Sequence, residues 1–348
     1  LGAGDSFTQA DINNGDITYT HDGSATETDA FIFTLDDGQA SVTDQVFSIN
    51  INSGDFSGAT SVPNPAFHFD GQDIDADGNV TDQPSDGSEV EIWINAGGSV
   101  NAIETPPDSA VYDDDAFGTG RGGVSFASSD DVYDLSNSGA INQNTFNEKS
   151  FSFVFRTGAD VAGDQVIYGQ GGGARGYQLS VNDGNLYAFV WNNVQWNSGD
   201  QYKSIDLGPV TADTVYYATM IQDSTGENIW KASLNGGNFL QLGAVEEQSG
   251  HGNGRIGNGS GLLDPVTFGG IGNSSFKGSI GEMWSWNTAL TETQTENLNE
   301  FIRDKWLNEA PQLTTNNDLE LFRGAQAAIN GANLDITDSD TGAGDLTY

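Results

Sequence analysis

Short runs in which apolar and polar residues alternate recur along the chain. In the run KSFSFVFRT, residues 149–157, the alternation places Phe151, Phe153 and Phe155 on one side of an extended backbone. Other strand candidates, separated by Gly, Asn or Asp, are AFIFTLDDG, QVFSININ, VEIWIN, GGVSFAS, GYQLSV, NLYAFVW, VYYATMI, IWKASL and GSIGEMWSW. So many short strands predict an all-β protein built from two packed sheets.

One segment has the period of a helix instead. In LTETQTENLNEFIRDKWLN, Thr291 stands three residues before Gln294, the spacing of a capping box. An apolar stripe follows at Leu298, Phe301, Ile302 and Trp306. Pro311 in NEAP cannot continue the helix, so we expect a domain junction after it.

Composition and charge narrow the class of protein. The 19 Phe, 10 Tyr and 7 Trp among 348 residues are enough for a large core. The 50 acidic residues outnumber 11 basic ones and give a net charge of -39, which repels both phosphate backbones and anionic membrane surfaces. The absence of Cys excludes disulfides and thiolate metal sites. No run approaches the length of a membrane span, and the first residues lack a signal-peptide pattern, so we expect a monomeric module from a longer chain.

The central part of the chain, residues 53–307, resembles a known class of lectin domain. The stretches FHFDGQDID, GRGGVSFASSDDVYDL, EKSFSFVFRTG and FKGSIGEMWSWNTALTETQTENLNEFIRDKW are similar to laminin G-like, concanavalin A-like domains. The resemblance implies a large jelly-roll sandwich with one helix at its C-terminal end.

The two ends of the chain resemble parts of a single domain. GDSFTQADINNGDITYTHDGSATETDAFIFTLDDG lies within residues 1–52, and NEAPQLTTNNDLEL and ANLDITDSDTGAGDLTY lie within residues 308–348. They are similar to the second and first portions of a cadherin-like repeat of the chondroitin sulfate proteoglycan type. We therefore expect one split cadherin/Ig-like sandwich with the lectin-like domain inserted in it. The alternative is two half-repeats from neighbouring units, which would leave strand edges exposed.

A lectin-like module nested in such a scaffold resembles the ligand-binding region of bacterial RTX-type adhesins. That resemblance implies an extracellular, calcium-rich location at the bacterial cell surface, including biofilms.

The motif DIDADGN matches the first part of an EF-hand loop. Its oxygen ligands stand at alternate positions, and Gly78 permits the tight turn. The predicted Ca²⁺ ligands are Asp73, Asp75, Asp77 and Asn79. The twelfth position is Pro84, so Asp82 or Asp86 would have to replace the usual Glu. The alternative is a solvated Asp-Gly turn.

A second calcium site is implied by the cadherin-like resemblance. Asp338 and Asp340 match the Asp-x-Asp element of those repeats, and the resemblance places His21, Asp22 and Asp29 near them. A shared cation would then tie the two ends of the chain together. The alternative is that these carboxylates bond their own turns. Further acidic clusters at 113–115 and 130–131 are expected to be solvated edges.

Two loops offer the groups that hold sugars, which are aromatic faces and paired hydrogen-bonding side chains. The predicted ligand-binding residues are Trp191, Asn192, Asn193, Trp196 and Tyr202 in the first loop, and His251, Asn253 and Arg255 in the second. Arg175 and Asp183 are secondary candidates. The alternatives are core packing for Trp191 and an ordinary connector for the glycine-rich loop.

Catalysis has little support. Glycoside hydrolases of the concanavalin A-like type commonly carry Glu-x-Asp-x-x-Glu on one strand, and no such string occurs. Glu89 and Glu91 lack a third acid, and Glu282 stands between aromatic residues in a fold motif. We therefore predict a non-enzymatic, calcium-dependent adhesin module that binds cell-surface glycans. The alternatives are a structural extender and a peptide- or protein-binding domain.

Overall fold

The computed structural model describes residues 28–36, 41–50, 62–104, 110–172, 174–192, 202–243, 245–252, 254–258, 275–307, 312–316 and 334–337. The chain divides into two compact units, Leu1–Thr60 and Ser61–Tyr348. Strands and turns make up nearly all of the described residues, with one α-helix late in the second unit, so the predicted all-β class is confirmed.

In the first unit, strands β1 (Thr28–Asp36) and β2 (Ser41–Asn50) form an antiparallel pair. Ile32 lies opposite Val46, and the two side chains are 70% and 61% exposed. The predicted strands AFIFTLDDG and QVFSININ are therefore paired with each other, with an apolar pair on the open face.

The second unit contains the remaining strands. In chain order they are β3 (Phe67–Asp70), β4 (Ile92–Trp93), β5 (Ala102–Glu104), β6 (Val111–Asp113), β7 (Gly123–Phe126), β8 (Tyr133–Leu135), β9 (Glu148–Thr157), β10 (Asp164–Gly172), β11 (Arg175–Asn182), β12 (Asn185–Asn192), β13 (Tyr202–Pro209), β14 (Val215–Asp223), β15 (Ile229–Leu234), β16 (Leu240–Gly243), β17 (Gly254–Ile256), β18 (Gly278–Trp286), β19 (Gln312–Asn316) and β20 (Leu334–Thr337). Strands β19 and β20 pair with each other. The predicted union of residues 1–52 with residues 308–348 in one scaffold domain stays a prediction.

Strands β3 to β18 build two eight-stranded sheets. Sheet I has the order β13-β12-β11-β10-β17-β8-β5-β4. Sheet II has the order β16-β15-β14-β9-β18-β7-β6, with β3 also paired to β18. Neighbouring strands in both sheets are antiparallel, so the predicted two-sheet sandwich is confirmed.

The core between the sheets is mainly aromatic. Phe151, Phe153 and Phe155 of β9 all lie in it, as the alternation predicted. Tyr168 and Tyr177 contribute from sheet I, and their rings lie 5.3 Å from Phe153 and 5.1 Å from Phe151 between centroids. Because such rings bury a large apolar area each, this layer supplies most of the contact between the sheets.

A bulge in β18 reverses the alternation of its side chains. The pairing of β18 with β9 shifts register between Ile280 and Glu282, so Ile280 and Met283 both enter the core. Glu282 therefore points to the outer face of sheet II, where uninterrupted alternation would have aimed it inward. A side chain at Gly281 would meet the Trp306 ring, with 2.8 Å from Cβ to the nearest ring carbon.

The helical segment covers this outer face. Helix α1 (Glu292–Ile302) begins at Thr291, which forms the predicted capping box with Gln294, and a π-helical turn (Arg303–Leu307) follows it. The stripe residues Leu298, Ile302 and Trp306 are buried, and the Phe301 ring meets Trp284 edge-on at 6.2 Å. The predicted helix and its buried stripe are confirmed.

Buried charges lie beneath the helical segment. The Glu282 carboxylate accepts hydrogen bonds from Lys305 Nζ (2.9 Å) and Trp306 Nε1 (2.6 Å), and its other oxygen lies 2.7 Å from His68 Nε2. Lys305 also donates to Asp70 at 2.5 Å. The His68 ring stacks on the Trp284 ring, with 5.4 Å between centroids.

The pKa of each of these three ionisable groups depends on burial and on the neighbouring groups of the network. Burial alone raises the pKa of Glu282, but Lys305, His68 and Trp306 outweigh it, so that pKa lies below its ordinary value. Burial alone lowers the pKa of Lys305, but Asp70 and Glu282 together raise it above the ordinary value. Burial and then Glu282 raise the pKa of Asp70. The network therefore holds sheet II against the helical segment with one lysine bonded to two carboxyl groups.

We expect Glu282→Ala to lower the free energy of unfolding by about 3–5 kcal/mol, because the change leaves Lys305 buried with less compensation. Chemical denaturation of the purified protein measures this loss. Glu296→Ala, at an exposed position of α1, is the matched control and should change stability by less than about 0.5 kcal/mol. Equal stability of the two variants would contradict a cohesive role for the network.

Candidate functional site

Several strand ends of sheet I meet at one end of the sandwich. Strand β10 ends at Gly172, β11 begins at Arg175, β12 ends at Asn192, β13 begins at Tyr202 and β17 begins at Gly254. These five strands are neighbours in the sheet, and antiparallel order brings alternate connections to the same end. We call this end the sheet I rim. Both of the loops that the sequence predicted for ligand binding start or finish here.

Two predicted ligand residues form the base of the rim. Trp191 is wholly buried, its indole N–H donates to the Gly172 carbonyl (2.8 Å), and its ring occupies the space where a side chain at Gly176 would lie. Asn192 is also wholly buried, and its amide donates to the Glu247 carbonyl (3.0 Å). Core packing, the alternative for Trp191, agrees with these contacts. Ligand contact through either side chain stays a prediction.

The other described ligand candidates lie nearer the surface. The Tyr202 side chain is 41% exposed, and the Arg255 guanidinium bonds Asp134 at 2.8 Å. His251 is half-buried, with Nδ1 donating to the Ser249 carbonyl (3.0 Å) and Nε2 accepting from the Gln170 amide (2.7 Å). Burial, with Lys149 and Arg175 nearby, lowers the pKa of His251 to about 4, so the ring is neutral at neutral pH. The predicted ligand residues Asn193, Trp196 and Asn253 lie outside the described residues.

A lysine that the sequence analysis did not single out lies beneath the rim. Lys149 is wholly buried, and its Nζ donates to the Ile141 carbonyl (2.8 Å) and to Asn287 Oδ1 (2.8 Å). The same nitrogen lies 3.9 Å from the centre of the Phe146 ring, which attracts a cation. Burial lowers the pKa of Lys149 to about 7. Position 149 falls in a strand pattern, so only the tertiary structure reveals its burial.

The stability of this protein should depend on pH through Lys149. Between pH 7 and 10.5 the unfolded chain holds a proton on Lys149 that the folded protein has released, so the free energy of unfolding rises with pH in this window. Lys149→Met removes that dependence. We expect the stability of wild type relative to this variant to increase by about 3 kcal/mol from pH 6 to pH 9.5, because roughly 2.5 pH units of that range lie above the pKa of the folded state and each is worth about 1.36 kcal/mol.

Urea denaturation of both proteins at the two pH values measures the difference. Lys277→Met is the control, because the Lys277 side chain is 52% exposed and its ion pair with Asp160 lies at the surface. If the difference in stability between wild type and Lys149→Met did not change with pH, the burial of Lys149 without a charged partner would be contradicted.

The predicted calcium loop is folded around its first carboxylate. Asp73, Asp75 and Asp77 each offer an oxygen, and these atoms lie within 4.8 Å of one another. Asp73 accepts hydrogen bonds from the backbone N–H groups of Asp77 (3.2 Å) and Gly78 (3.0 Å). Gly78 has a φ of +86°, which few other residues adopt. Partial burial raises the pKa of Asp73, and Asp75 adds to that rise, although the two N–H bonds oppose it.

This donor set fits a hard cation. Three carboxylates within one turn supply the negative charge and oxygen ligands that Ca²⁺ prefers. Asn79 Oδ1 accepts from the Thr81 hydroxyl (2.8 Å), and Pro84 offers no side-chain ligand. Asp73, Asp75 and Asp77 would therefore hold the ion, with backbone carbonyls or water completing its shell.

The calcium loop and the rim lie at opposite ends of β3. Ala66, just before β3, donates to the Ser285 carbonyl near the rim, whereas Asp70, the last residue of β3, leads into the loop. Four residues of strand span roughly 13 Å. An ion bound at Asp73 therefore does not contact a ligand bound at the rim.

Other acidic residues differ in their surroundings. Asp86, Asp113 and Asp114 form a second acidic group with oxygens within 4.8 Å of one another, in which Asp113 is half-buried and the other two are exposed. Asp131 is buried and closes its own turn by accepting from Ala127 and Ser128, so it is not part of a solvated edge. The predicted metal residues Asp22, Asp338 and Asp340 lie outside the described residues, and only the backbone of Asp29 is described, opposite Ile49 in β1. A cation shared between the two ends stays a prediction.

We expect Asp75→Asn to weaken calcium binding at the Asp73 loop at least tenfold, because one of three carboxylate charges is removed. Calorimetric titration of the metal-free protein with Ca²⁺ measures the loss of this site. Asp213→Asn, an exposed change outside the loop, should leave the titration as in the wild type. Identical titrations for all three proteins would show that the Asp73 loop is a solvated turn.

Comparison with protein families finds a match, which covers the N-terminal segment of the chain. Residues 2–51 match the family described as Cadherin-like. The match supports the cadherin-like resemblance for the N-terminal segment and leaves residues 308–348 untested. No curated protein matches the chain.

Several solved structures are similar to this chain in fold. The binding domain of botulinum neurotoxin serotype G has 11% identity over 68% of this chain and 51% of its own, with a TM-score of 0.46. The CBM40 of Ruminococcus gnavus IT-sialidase bound to α2,6 sialyllactose has 18% identity over 49% and 92%, with a TM-score of 0.39. A SAP-like pentraxin from Limulus polyphemus has 16% identity over 45% and 70%, with a TM-score of 0.34.

The matched part spans about half the length of the neurotoxin domain. At these identities and TM-scores the likeness carries no argument about what this chain binds. No helix in the part of the chain that the structure describes is long and apolar enough to cross a membrane.

Proposed function

We propose that this protein is a calcium-dependent adhesin module whose sandwich binds cell-surface glycans at the sheet I rim. The convergence of two distant loops at this rim carries the proposal. Tyr202 and His251 belong to loops that are far apart in sequence, yet β13 and β17 lie in the same sheet and bring these loops to one end of it. The rim offers the phenol ring of Tyr202, which can stack on the C–H face of a sugar, and the guanidinium of Arg175, which can donate to sugar hydroxyls.

Calcium has a supporting part in this proposal. A cation at Asp73, Asp75 and Asp77 would relieve repulsion among three carboxylates and fix the turn after β3. A second ion between Asp22 or Asp29 and the pair Asp338 and Asp340 would join the ends of the chain into one scaffold. In both places calcium rigidifies the module, and the glycan is held by protein groups.

The proposed setting is the exterior of a bacterium, as in the ligand-binding region of an RTX-type adhesin. The cadherin-like match at residues 2–51 supports a repeat scaffold beside the sandwich. A net charge of -39 suits a calcium-rich medium, because divalent cations screen and bridge the carboxylates. We propose no catalytic step, because no sequence motif of a glycosidase or hydrolase is present.

A glycan array probed with calcium and again with EDTA tests the function. We expect binding to a defined set of glycans that falls when calcium is removed and the scaffold loosens. Silence toward every glycan by a folded, stable protein would favour the structural extender, and binding to peptide ligands alone would favour the protein-binding alternative.

We expect Tyr202→Ala to weaken glycan binding roughly tenfold, the loss of about 1–2 kcal/mol that one aromatic contact supplies. Leu240→Ala is the matched control, because Leu240 is 50% exposed on β16, the edge strand of sheet II. Trp196→Ala in the same loop as Tyr202 should act in the same direction. Unchanged affinity in both loop variants, with normal thermal unfolding, would move the site away from this loop.

A further inference from the structure

A groove that the sequence motifs do not predict opens beside the rim. Its volume is about 610 Å³, within the range of small-ligand sites. Its lining consists of Pro63, Asn64, Pro65, Ala66, Gly97, Gly98, Ser99, Val100, Ser138, Ala140, Ile141, Trp286, Asn287 and Thr288. The π-helical turn Gly139–Gln143 lies between groove and rim, since Ile141 lines the groove while the Asn142 carbonyl accepts from the His251 N–H (2.7 Å).

The groove lining carries no ionisable side chain, although 18% of the chain is charged. Amides and hydroxyls at Asn64, Ser99, Asn287 and Thr288 stand exposed along it, with apolar surface between them. Hydrogen-bonding groups that alternate with apolar patches suit a ligand with hydroxyls on one side and C–H surface on the other.

The walls of the groove are held by close contacts to neighbouring segments. Trp286 Nε1 donates to the Pro63 carbonyl (2.7 Å), and this bond fixes the segment before β3. On the other side, Gly97 approaches β3 so closely that an added Cβ would lie 2.9 Å from the His68 backbone nitrogen. Because both walls are held by backbone contacts, a ligand would find the groove already formed.

Asn287 is held in one orientation by hydrogen bonds to buried Lys149 and to the exposed Ala140 backbone. Lys149 Nζ donates to its Oδ1 (2.8 Å), and its Nδ2 donates to the Ala140 carbonyl (2.9 Å). An amide offers two donors and two acceptor positions, so these bonds leave one of each for a ligand. Asn287 therefore presents a fixed donor and acceptor pair, the arrangement that recognises neighbouring hydroxyls of a sugar ring.

A second hollow, of about 410 Å³, shares Asn287 with the groove. That hollow is lined by Asn144, Thr145, Phe146, Asn147, Glu148, Thr225 and Asn287. Asn287 belongs to both linings, so a chain-like ligand bonded to it can extend in two directions. A single small molecule would use only one of the two hollows.

We propose that this groove, centred on Asn287, binds an uncharged segment of an oligosaccharide. The inference rests on the proposed function and adds to it a further subsite beside the rim and a chemical class of ligand. An anionic sugar would meet no counter-charge in the lining of the larger hollow and would be repelled by a protein with a net charge of -39. A wholly apolar ligand would leave the exposed amides and hydroxyls without partners.

Calorimetry with neutral trisaccharides (maltotriose, cellotriose and globotriose) and with anionic sialyllactose tests the inference. Ser99→Trp fills the groove from an exposed position, and Asn287→Ala removes the central amide. We expect the wild type to bind at least one neutral trisaccharide and both variants to lose at least tenfold in affinity. Ser85→Trp, at an exposed position outside the lining, is the control and should bind as the wild type does.

Each outcome of these titrations supports or overturns a stated part of the proposal. Neutral trisaccharide binding that survives in folded Ser99→Trp protein overturns the groove and leaves the proposed function standing. Binding of sialyllactose alone overturns the uncharged class. Silence of the wild type toward these sugars overturns the groove proposal, and silence toward the glycan array as well overturns the proposed function. If Asn287→Ala unfolds because Lys149 loses a partner, Ser99→Trp decides alone.

Discussion

The arrangement of this sandwich depends on the hydrogen bonds and the ion pair made by the buried carboxylate of Glu282. This carboxylate lies on the outer face of sheet II because of a bulge at Gly281, and a charge there is tolerated only when it is fully bonded. Lys305 and Trp306 supply these bonds from the helical segment, and His68 supplies one from β3. One carboxylate thus joins the central strand β18, its neighbour β3 and the covering helix.

The groove and the Asp73 loop depend on the same two strands, β3 and β18. Strand β18 ends at Trp286, next to the amide that stands at the centre of the groove, and β3 runs from the groove wall to the Asp73 loop. The network at Glu282 therefore lies between the two sites and keeps their spacing constant. Separation of a metal loop from a ligand groove by a rigid strand favours a structural part for the metal, because an ion at that distance affects the ligand only through the fold.

Some of the 11 basic side chains lie away from solvent. Lys149 is wholly buried and bonds Asn287 at the groove, while Lys305, whose side chain is 17% exposed, pairs with Asp70 and Glu282 on the outer face of sheet II. The exterior is still strongly acidic, because the chain carries a net charge of -39 and few of the acidic side chains that the structure describes are buried. Such a surface attracts divalent cations and repels anionic partners, and it leaves a groove without ionisable groups as a distinct chemical environment.

Local sequence patterns predicted several of the strands and the α-helix. A period of two placed Phe151, Phe153 and Phe155 in the core, and the spacing of Thr291 and Gln294 located the start of the helix, because both signals are local. The tertiary structure alone decided the bulge at Gly281, the burial of Lys149 and Trp191, and the meeting of distant segments around Asn287. These features depend on contacts between residues far apart in the chain, which no local pattern encodes.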